Sequence, residues 1–252
     1  MSIKISLKKT ISEKQVKNYA VFSNENFKIY ALSKTKLNKF NKYITNVINN
    51  INNKDHNFFS LNLNSTQKLI VIKLKKNQSS AKNEKLGAEF YNYIKSNSIY
   101  DLTFIEKNVS GYESKKFCDE FFHGLELKSY QFEKYKSKKN DKKFNIEIID
   151  VDSKFNLQEN KRYNSLIEGV NLTKDLVSEP GNILHPDEYA KRILKLKSLG
   201  LKISVYDKKK LKTLGMNALL GVGQGSIRGS YLVTMEWNGS NKKNKPLAFV
   251  GK

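Results

Sequence analysis

The sequence predicts an α/β protein built from two regions. Three observations carry that prediction. Strand-like and helix-like segments alternate through the first 150 residues, the pattern of helices covering a largely parallel sheet. All three prolines (Pro180, Pro186, Pro246) and most glycines fall in the final third, which sets a second region apart, the two meeting between 150 and 180. That second region also alternates helix-like with strand-like segments.

In chain order, Ile3 to Leu7 alternates apolar and polar residues and reads as a strand. Tyr19–Phe22 and Lys28–Leu32 are short apolar runs. Leu37, Phe40, Ile44, Val47, Ile48 and Ile51 recur at spacings of three and four, one face of a helix over 37–51. Strands are expected at 58–63 and 69–74, then a helix from about Ser80 to Ser96 burying Leu86, Phe90, Tyr93 and Ile94. A strand at 102–105, a long helix over 112–135 and an alternating strand at 144–149 complete the first region.

The second region opens with a helix from about 157 to 177, its apolar stripe supplied by Leu166, Val170, Leu172 (or Thr173) and Leu176–Val177. Pro180-Gly181-Asn182 ends it, since proline cannot continue a helix and Gly-Asn tolerates positive φ. Pro186, Asp187 and Glu188 open the next helix, with proline early and acids in the first turn as the helix dipole favours. Its buried face is expected from Tyr189, Ile193, Leu196 and Leu199, with Gly200 as cap. Strands are expected at 201–206, 218–222 and 231–237, and a helix at 207–214. Leu247–Val250 after Pro246 reads as a strand buried on both faces.

Composition narrows the function. At 38% hydrophobic and 11% aromatic the chain can bury a sizeable core. No apolar run reaches the roughly 20 residues that a membrane span needs, and the alternating N-terminus does not read as a signal peptide. Cys118 is the single cysteine, so an internal disulfide is excluded and a small core residue is its simplest role. These features suit a cytoplasmic protein. The net charge of +22 raises nucleic acid as a partner. Yet 43 of the 46 basic residues are lysines, the arginines being Arg162, Arg192 and Arg228. Arginine's planar fork is what groove recognition favours. The lysines also scatter through every segment beside abundant Asn and Ile, as codon drift in an AT-rich genome would leave them. A solvated basic surface is expected, with a basic nucleic-acid-binding module as the alternative.

Candidate chemistry is sparse. Gly221-Val-Gly-Gln-Gly-Ser226 lacks the third glycine of a dinucleotide fingerprint and any Gly-Lys-Ser/Thr, so these glycines are expected to shape a strand connection. His56 and His123 have no partner at metal-ligand spacing. Glu179, His185, Asp187 and Glu188 could form a metal or acid/base cluster, although helix termination and capping account for most of them.

Three motifs in order carry a family resemblance. Asn171-Leu-Thr-Lys-Asp-Leu-Val-Ser-Glu-Pro-Gly-Asn182, His185-Pro-Asp-Glu-Tyr-Ala190 and Leu214-Gly-Met-Asn-Ala-Leu-Leu-Gly-Val-Gly-Gln-Gly-Ser226 closely resemble the leucyl (cytosol) aminopeptidases. Pro246-Leu-Ala-Phe-Val-Gly-Lys252 fits the start of the family's Val-Gly-Lys-Gly-x-Thr-x-Asp segment, and 124–137 resembles a helix near the end of its N-terminal domain. The resemblance implies a macro-like N-terminal α/β domain over 1–150, a linking helix over 151–180, and the start of an incomplete, truncated α/β catalytic domain over 181–252. A macro-like domain also suggests, by fold analogy alone, a nucleotide-like ligand, but no phosphate-binding loop in 1–150 supports it.

It further implies homohexameric metalloexopeptidases that release N-terminal amino acids from peptides with a free N-terminus, using two divalent ions, Mn or Zn. Lys252 matches a lysine that ligates one of those metals. The family's carboxylate ligands, catalytic lysine and catalytic arginine have no counterpart here. No catalytic residue is therefore assigned within the chain, which is expected to be an N-terminal fragment that is inactive alone.

Overall fold

The computed structural model describes residues 3–8, 16–50, 56–106, 117–138, 143–149, 157–239 and 245–251, with side chains in the long helix described from 161. The chain divides into two compact units, Met1–Asp175 and Leu176–Lys252.

The first unit is organised by a six-stranded sheet. Its strands are β1 (Ile3–Leu7), β2 (Asn18–Ser23), β3 (Phe58–Asn62), β4 (Lys68–Lys73), β5 (Asp101–Ile105) and β6 (Phe144–Ile149). Their spatial order is β1-β6-β5-β2-β4-β3. All neighbours run parallel except β3 and β4, which pair antiparallel with Phe58 opposite Ile72. The expected largely parallel sheet is thus present.

Alternation along the strands feeds two cores. On one face Ala20 and Phe22 join Ile70, Ile72, Phe104 and Ile146 beneath α2 (Ser80–Ser96) and α3 (Phe117–Ser129). On the other, Tyr19 and Val21 join Leu69, Val71 and Ile105 beneath α1 (Asn41–Asn49), which contributes Ile44 and Ile48. Phe22 anchors the first core through edge-on contacts with Phe117 and Phe121, with centroids 5.3 and 5.2 Å apart.

Two glycines let α2 and α3 approach closely. A Cβ at Gly87 would lie 2.8 Å from the carbonyl carbon of Phe121 and 3.0 Å from the Leu125 nitrogen. A Cβ at Gly124 would lie 2.6 Å from Glu84 Cα. A polar clasp secures the same pair of helices: buried Glu120 accepts from Ser80 Oγ at 2.6 Å and from Asn83 Nδ2 at 2.7 Å.

Several expected elements differ. The apolar run at 28–32 is not a strand; Phe27 and Ala31 take positive φ (59° and 49°), turning the chain so that Phe27 enters the core. The helix expected at 37–51 begins as a 3₁₀ turn at Asn38–Phe40 before α1, and residue 51 lies outside the described residues. Of the long helix expected over 112–135, the described part is α3, which stops at Ser129; 112–116 lie outside the described residues.

The helix expected over 157–177 is α4 (Leu157–Ser178). Tyr163 and Ile167, one turn apart, are buried, whereas the expected stripe at Leu166, Val170 and Leu172 is left more than a third exposed. Within the first unit, Lys174 Nζ donates to the Leu127 carbonyl at 2.7 Å and Tyr130 Oη to Asp175 at 2.7 Å.

The second unit contains α5 (Pro186–Lys195), β7 (Lys202–Tyr206), α6 (Lys208–Thr213), α7 (Asn217–Gly223) and β8 (Leu232–Glu236). Asp207 caps α6 by accepting from the Lys210 nitrogen at 2.9 Å. β7 and β8 form a two-stranded antiparallel sheet with Ile203 opposite Met235. The strand expected at 218–222 is instead α7. Gly215, at φ 70°, turns the chain after α6, and the following Ala-Leu-Leu favours helix. Of the face expected from Tyr189, Ile193, Leu196 and Leu199, Ile193 is buried, joined by Ala190, whereas Tyr189 and Leu199 are exposed. The buried strand expected at 247–250 has no ladder partner among the described residues, and Phe249 and Val250 are 90% and 99% exposed. A strand is stabilised by neighbours, and none is supplied here.

Candidate functional site

The motif residues of the second unit assemble around the first turn of α5. Pro186 at the helix start leaves Asp187 and Glu188 at the positive end of the helix dipole. Asp187 Oδ1 accepts from Tyr231 Oη at 2.7 Å, its Oδ2 lies 3.7 Å from Arg228 Nη1, and His185 Nδ1 sits 3.2 Å from Oδ2 without hydrogen-bond alignment. The Tyr231 hydrogen bond, ahead of the nearby His185 and Arg228, holds the Asp187 carboxyl below the usual range, and the same bond pushes the Tyr231 phenol up.

Arg192, one turn along α5, binds two carboxylates at once. It donates to Glu179 Oε1 at 2.9 Å and to Glu188 Oε1 at 3.0 Å. The Glu179 side chain is 1% exposed, so this guanidinium offsets the burial of a charge. Its hydrogen bond lowers the Glu188 pKa, and the two carboxylates raise that of Arg192.

These contacts show how the cluster's carboxylates are occupied. Glu179 and Glu188 share one arginine, and Asp187 is committed to Tyr231 and Arg228. Carboxylates held low by hydrogen bonds and positive charge make poor bases at neutral pH. Among the described residues no group of three or more His, Cys, Asp or Glu side chains could hold a metal ion. The residues described here therefore do not by themselves fit the dimetal centre that the resemblance implies. The cluster ties helix starts to loops. Lys252, the one assigned metal ligand, lies outside the described residues.

The glycine-rich stretch closes the same neighbourhood. Gly221 and Gly223 end α7, and the chain turns through Gln224–Ser226, with Ser226 donating its N–H to the Gly223 carbonyl at 3.1 Å. Ser226 Oγ accepts from the Arg228 nitrogen at 3.1 Å, and a Cβ on Gly223 would collide with the Ser230 side chain. The glycines thus make a tight turn that presents Arg228 and Tyr231 to Asp187. That turn follows a helix rather than joining two strands.

In the first unit a cavity of about 140 Å³ lies among Ile148, Asp119, His123, Glu126, Tyr163 and other residues. His123 is buried, its Nδ1 lies 2.9 Å from Glu84 Oε1, and its ring packs 4.8 Å from that of Tyr163. Packing was the expected role. Burial pushes Glu126 up to about 7, a feature that a lone glutamate in a helix does not announce in sequence. Cys118 is buried, and burial ahead of the nearby Glu106 and Asp119 pushes its thiol well up, so it is an inert core residue. No helix among the described residues is long and apolar enough to cross a membrane.

Comparison with known proteins agrees with the motifs. Residues 171–252 match the family model described as the cytosol aminopeptidase family, catalytic domain. A probable cytosol aminopeptidase of Phytoplasma mali is 52% identical over 139 residues, covering 52% of this chain and 28% of the relative. That of Phytoplasma australiense is 46% identical over 134 residues, covering 52% and 27%. A tomato leucine aminopeptidase K354E mutant shares the fold with a TM-score of 0.72 at 18% identity, over 96% of this chain and 52% of that one. The bottromycin maturation enzyme BotP in complex with Mn gives a TM-score of 0.65 at 16% identity, over 88% and 45%. The chain thus spans about half of these solved structures, and its matched segment little more than a quarter of the curated relatives. Through residues 171–252 this chain is similar to the catalytic domain of the cytosol aminopeptidase family.

Proposed function

We propose that this chain is part of a cytoplasmic metalloexopeptidase that releases N-terminal amino acids from peptides with a free N-terminus. The observation that carries this reading is the match of residues 171–252 to the aminopeptidase catalytic domain. In it, 1–150 form a macro-like domain, 151–180 a linking helix, and 181–252 the start of the peptidase domain. The parent assembly is a homohexamer with two divalent ions, Mn or Zn, consistent with the Mn complex of BotP.

Lys252 is the residue of this chain assigned to a metal. An ammonium has no lone pair, so its side chain must be the neutral amine when it ligates. The remaining ligands are not supplied by the described residues. The 252-residue chain alone is therefore expected to hydrolyse no leucyl-p-nitroanilide with added Mn²⁺ or Zn²⁺.

The parent activity is tested by substitution into a working relative. The segment of the Phytoplasma mali protein that matches this chain is replaced by the corresponding residues of this chain, through Lys252. The hybrid is expected to show metal-dependent hydrolysis of leucyl-p-nitroanilide. A soluble, fully assembled hybrid without activity would overturn the reading. In the same hybrid Lys252→Ala is expected to lower both bound metal and turnover; unchanged metal content would remove Lys252 from the site.

A further inference from the structure

The cavity of the first unit is acidic in a chain that is otherwise strongly basic. It measures about 140 Å³ and is walled by residues of β1, β6, α3 and α4. Asp119 and Glu126 stand in that wall, and no lysine or arginine does, although the chain holds 46 of them and carries a net charge of +22. Asp119 is buried. Burial alone pushes Glu126 up to about 7, with no cation offsetting the removal of a carboxylate from water. Arg162 lies over the Tyr163 ring, 5.7 Å from its centroid, but does not line the cavity.

His123 supplies a second, independent observation. Its side chain is 8% exposed and lines the same cavity. Nδ1 is held 2.9 Å from Glu84 Oε1, and Nε2 has no hydrogen-bond partner among the described residues. A carboxylate only accepts, so in the neutral ring Nδ1 carries the proton and Nε2 keeps a lone pair. Glu84 is not part of the cavity wall, which leaves Nε2 as the polar atom that this ring offers to it. Buried polar atoms are seldom left without a partner. The cavity therefore presents an imidazole nitrogen and two carboxyl groups, and lacks a positively charged donor.

The chemistry of the wall identifies the occupant. No group of three or more His, Cys, Asp or Glu side chains among the described residues could hold a metal ion, so an organic cation is the better match. An ammonium brings three N–H donors and one charge. Ile5, Phe122 and Ile148 complete the wall and suit a short hydrocarbon body. An apolar cavity of about 150 Å³ admits benzene, so the ligand has about six non-hydrogen atoms. A free amino acid is disfavoured, because its own carboxylate would face Asp119 and Glu126. We propose that this cavity binds a small primary alkylamine without a carboxylate, its ammonium received by His123, Asp119 and Glu126. The proposal does not depend on the aminopeptidase reading.

Nuclear magnetic resonance of the whole 252-residue chain, with n-butylammonium as the probe, tests this. A saturable shift of the His123 ring is expected, while the rings of His56 and His185 stay in place. Tetramethylammonium has the charge but no N–H donor, and butyrate has the wrong charge; each should bind about tenfold more weakly or worse. Glu126→Gln keeps the shape and removes the charge, and should weaken butylammonium about tenfold or more. Asn164→Lys, at an exposed position in the wall, supplies the chain's own ammonium and should do the same. Should Glu126→Gln fail to fold, Asn164→Lys decides alone. A cavity that holds only water gives no saturable shift at His123, and that result overturns the proposal. Equal movement of all three histidines, or undiminished binding by either folded variant, overturns it as well.

Discussion

Replacing Gly87 by alanine should separate the two helices that cover the sheet. The added Cβ would stand 2.8 Å from the carbonyl carbon of Phe121 and 3.0 Å from the Leu125 nitrogen, both backbone atoms that cannot rotate away. Carbon atoms pack best at about 3.5–4.0 Å, so α2 and α3 must part by roughly an ångström. That motion strains contacts between Phe90 and Phe121, whose centroids are 5.6 Å apart, and the Glu120 clasp. Overpacking of this kind costs about 3 kcal/mol at the upper end of its usual range, and alanine's better helix propensity returns about 1 kcal/mol. The net expectation is about 2 kcal/mol of destabilisation, or a Tm lowered by about 4–8 °C for a unit of this size. Gly169 of α4 is the control, because a Cβ there meets nothing within 4 Å. Gly169→Ala should leave Tm unchanged or raise it slightly. Thermal unfolding followed by circular dichroism reads both variants. Equal stability of the two would refute the close-packing argument.

Two further outcomes are expected. The raised pKa of Glu126, about 7 against 4.5 unfolded, means that the folded state favours the protonated acid. Its contribution is fully present below pH 4.5 and is lost as pH rises through 7, by at most about 3 kcal/mol and less after allowance for partial exposure; Glu126→Gln should flatten the urea-unfolding stability across that window, and an unchanged slope would contradict it. Arg192→Ala should leave Glu179 and Glu188 facing one another without their shared guanidinium, so limited proteolysis across 176–200 should accelerate severalfold, and cleavage at the original rate would show that the bridge adds nothing.

Much of the fold was legible because its elements are local. The 80–96 helix announces itself through Leu86, Phe90 and Ile94, and the helix from Pro186 through its proline and acids. Elements that depend on distant partners were not. Leu247–Val250 has the composition of a buried strand, but composition does not supply the neighbour. Ala218–Val222 has the apolar density of a strand, yet it follows the turn at Gly215 as a helix. The close approach of α2 and α3 at Gly87 and Gly124 is a matter of tertiary packing, although two glycines inside helices, each costing about 1 kcal/mol, hint at one. At the candidate site the four acidic and imidazole residues were visible, but no side chain of the cluster caps α5; the carboxylates bind Arg192 and Tyr231 instead. Tyr231 and Arg228, which commit Asp187, lie some forty residues away and gave no signal.

The sheet order has a consequence for how the first unit is made. β1, at one edge, pairs only with β6, so Ile3 waits for Phe144. At about 5–20 residues per second a ribosome needs on the order of ten seconds or more to bring that partner out. The first strand synthesised is thus the last that can be placed. Until then β6's place is open, and the alternating strand β1 has no partner to pair with. Closure of the sheet by β1 therefore reports that the chain has been translated through Ile149, and high contact order of this kind makes it a slow step.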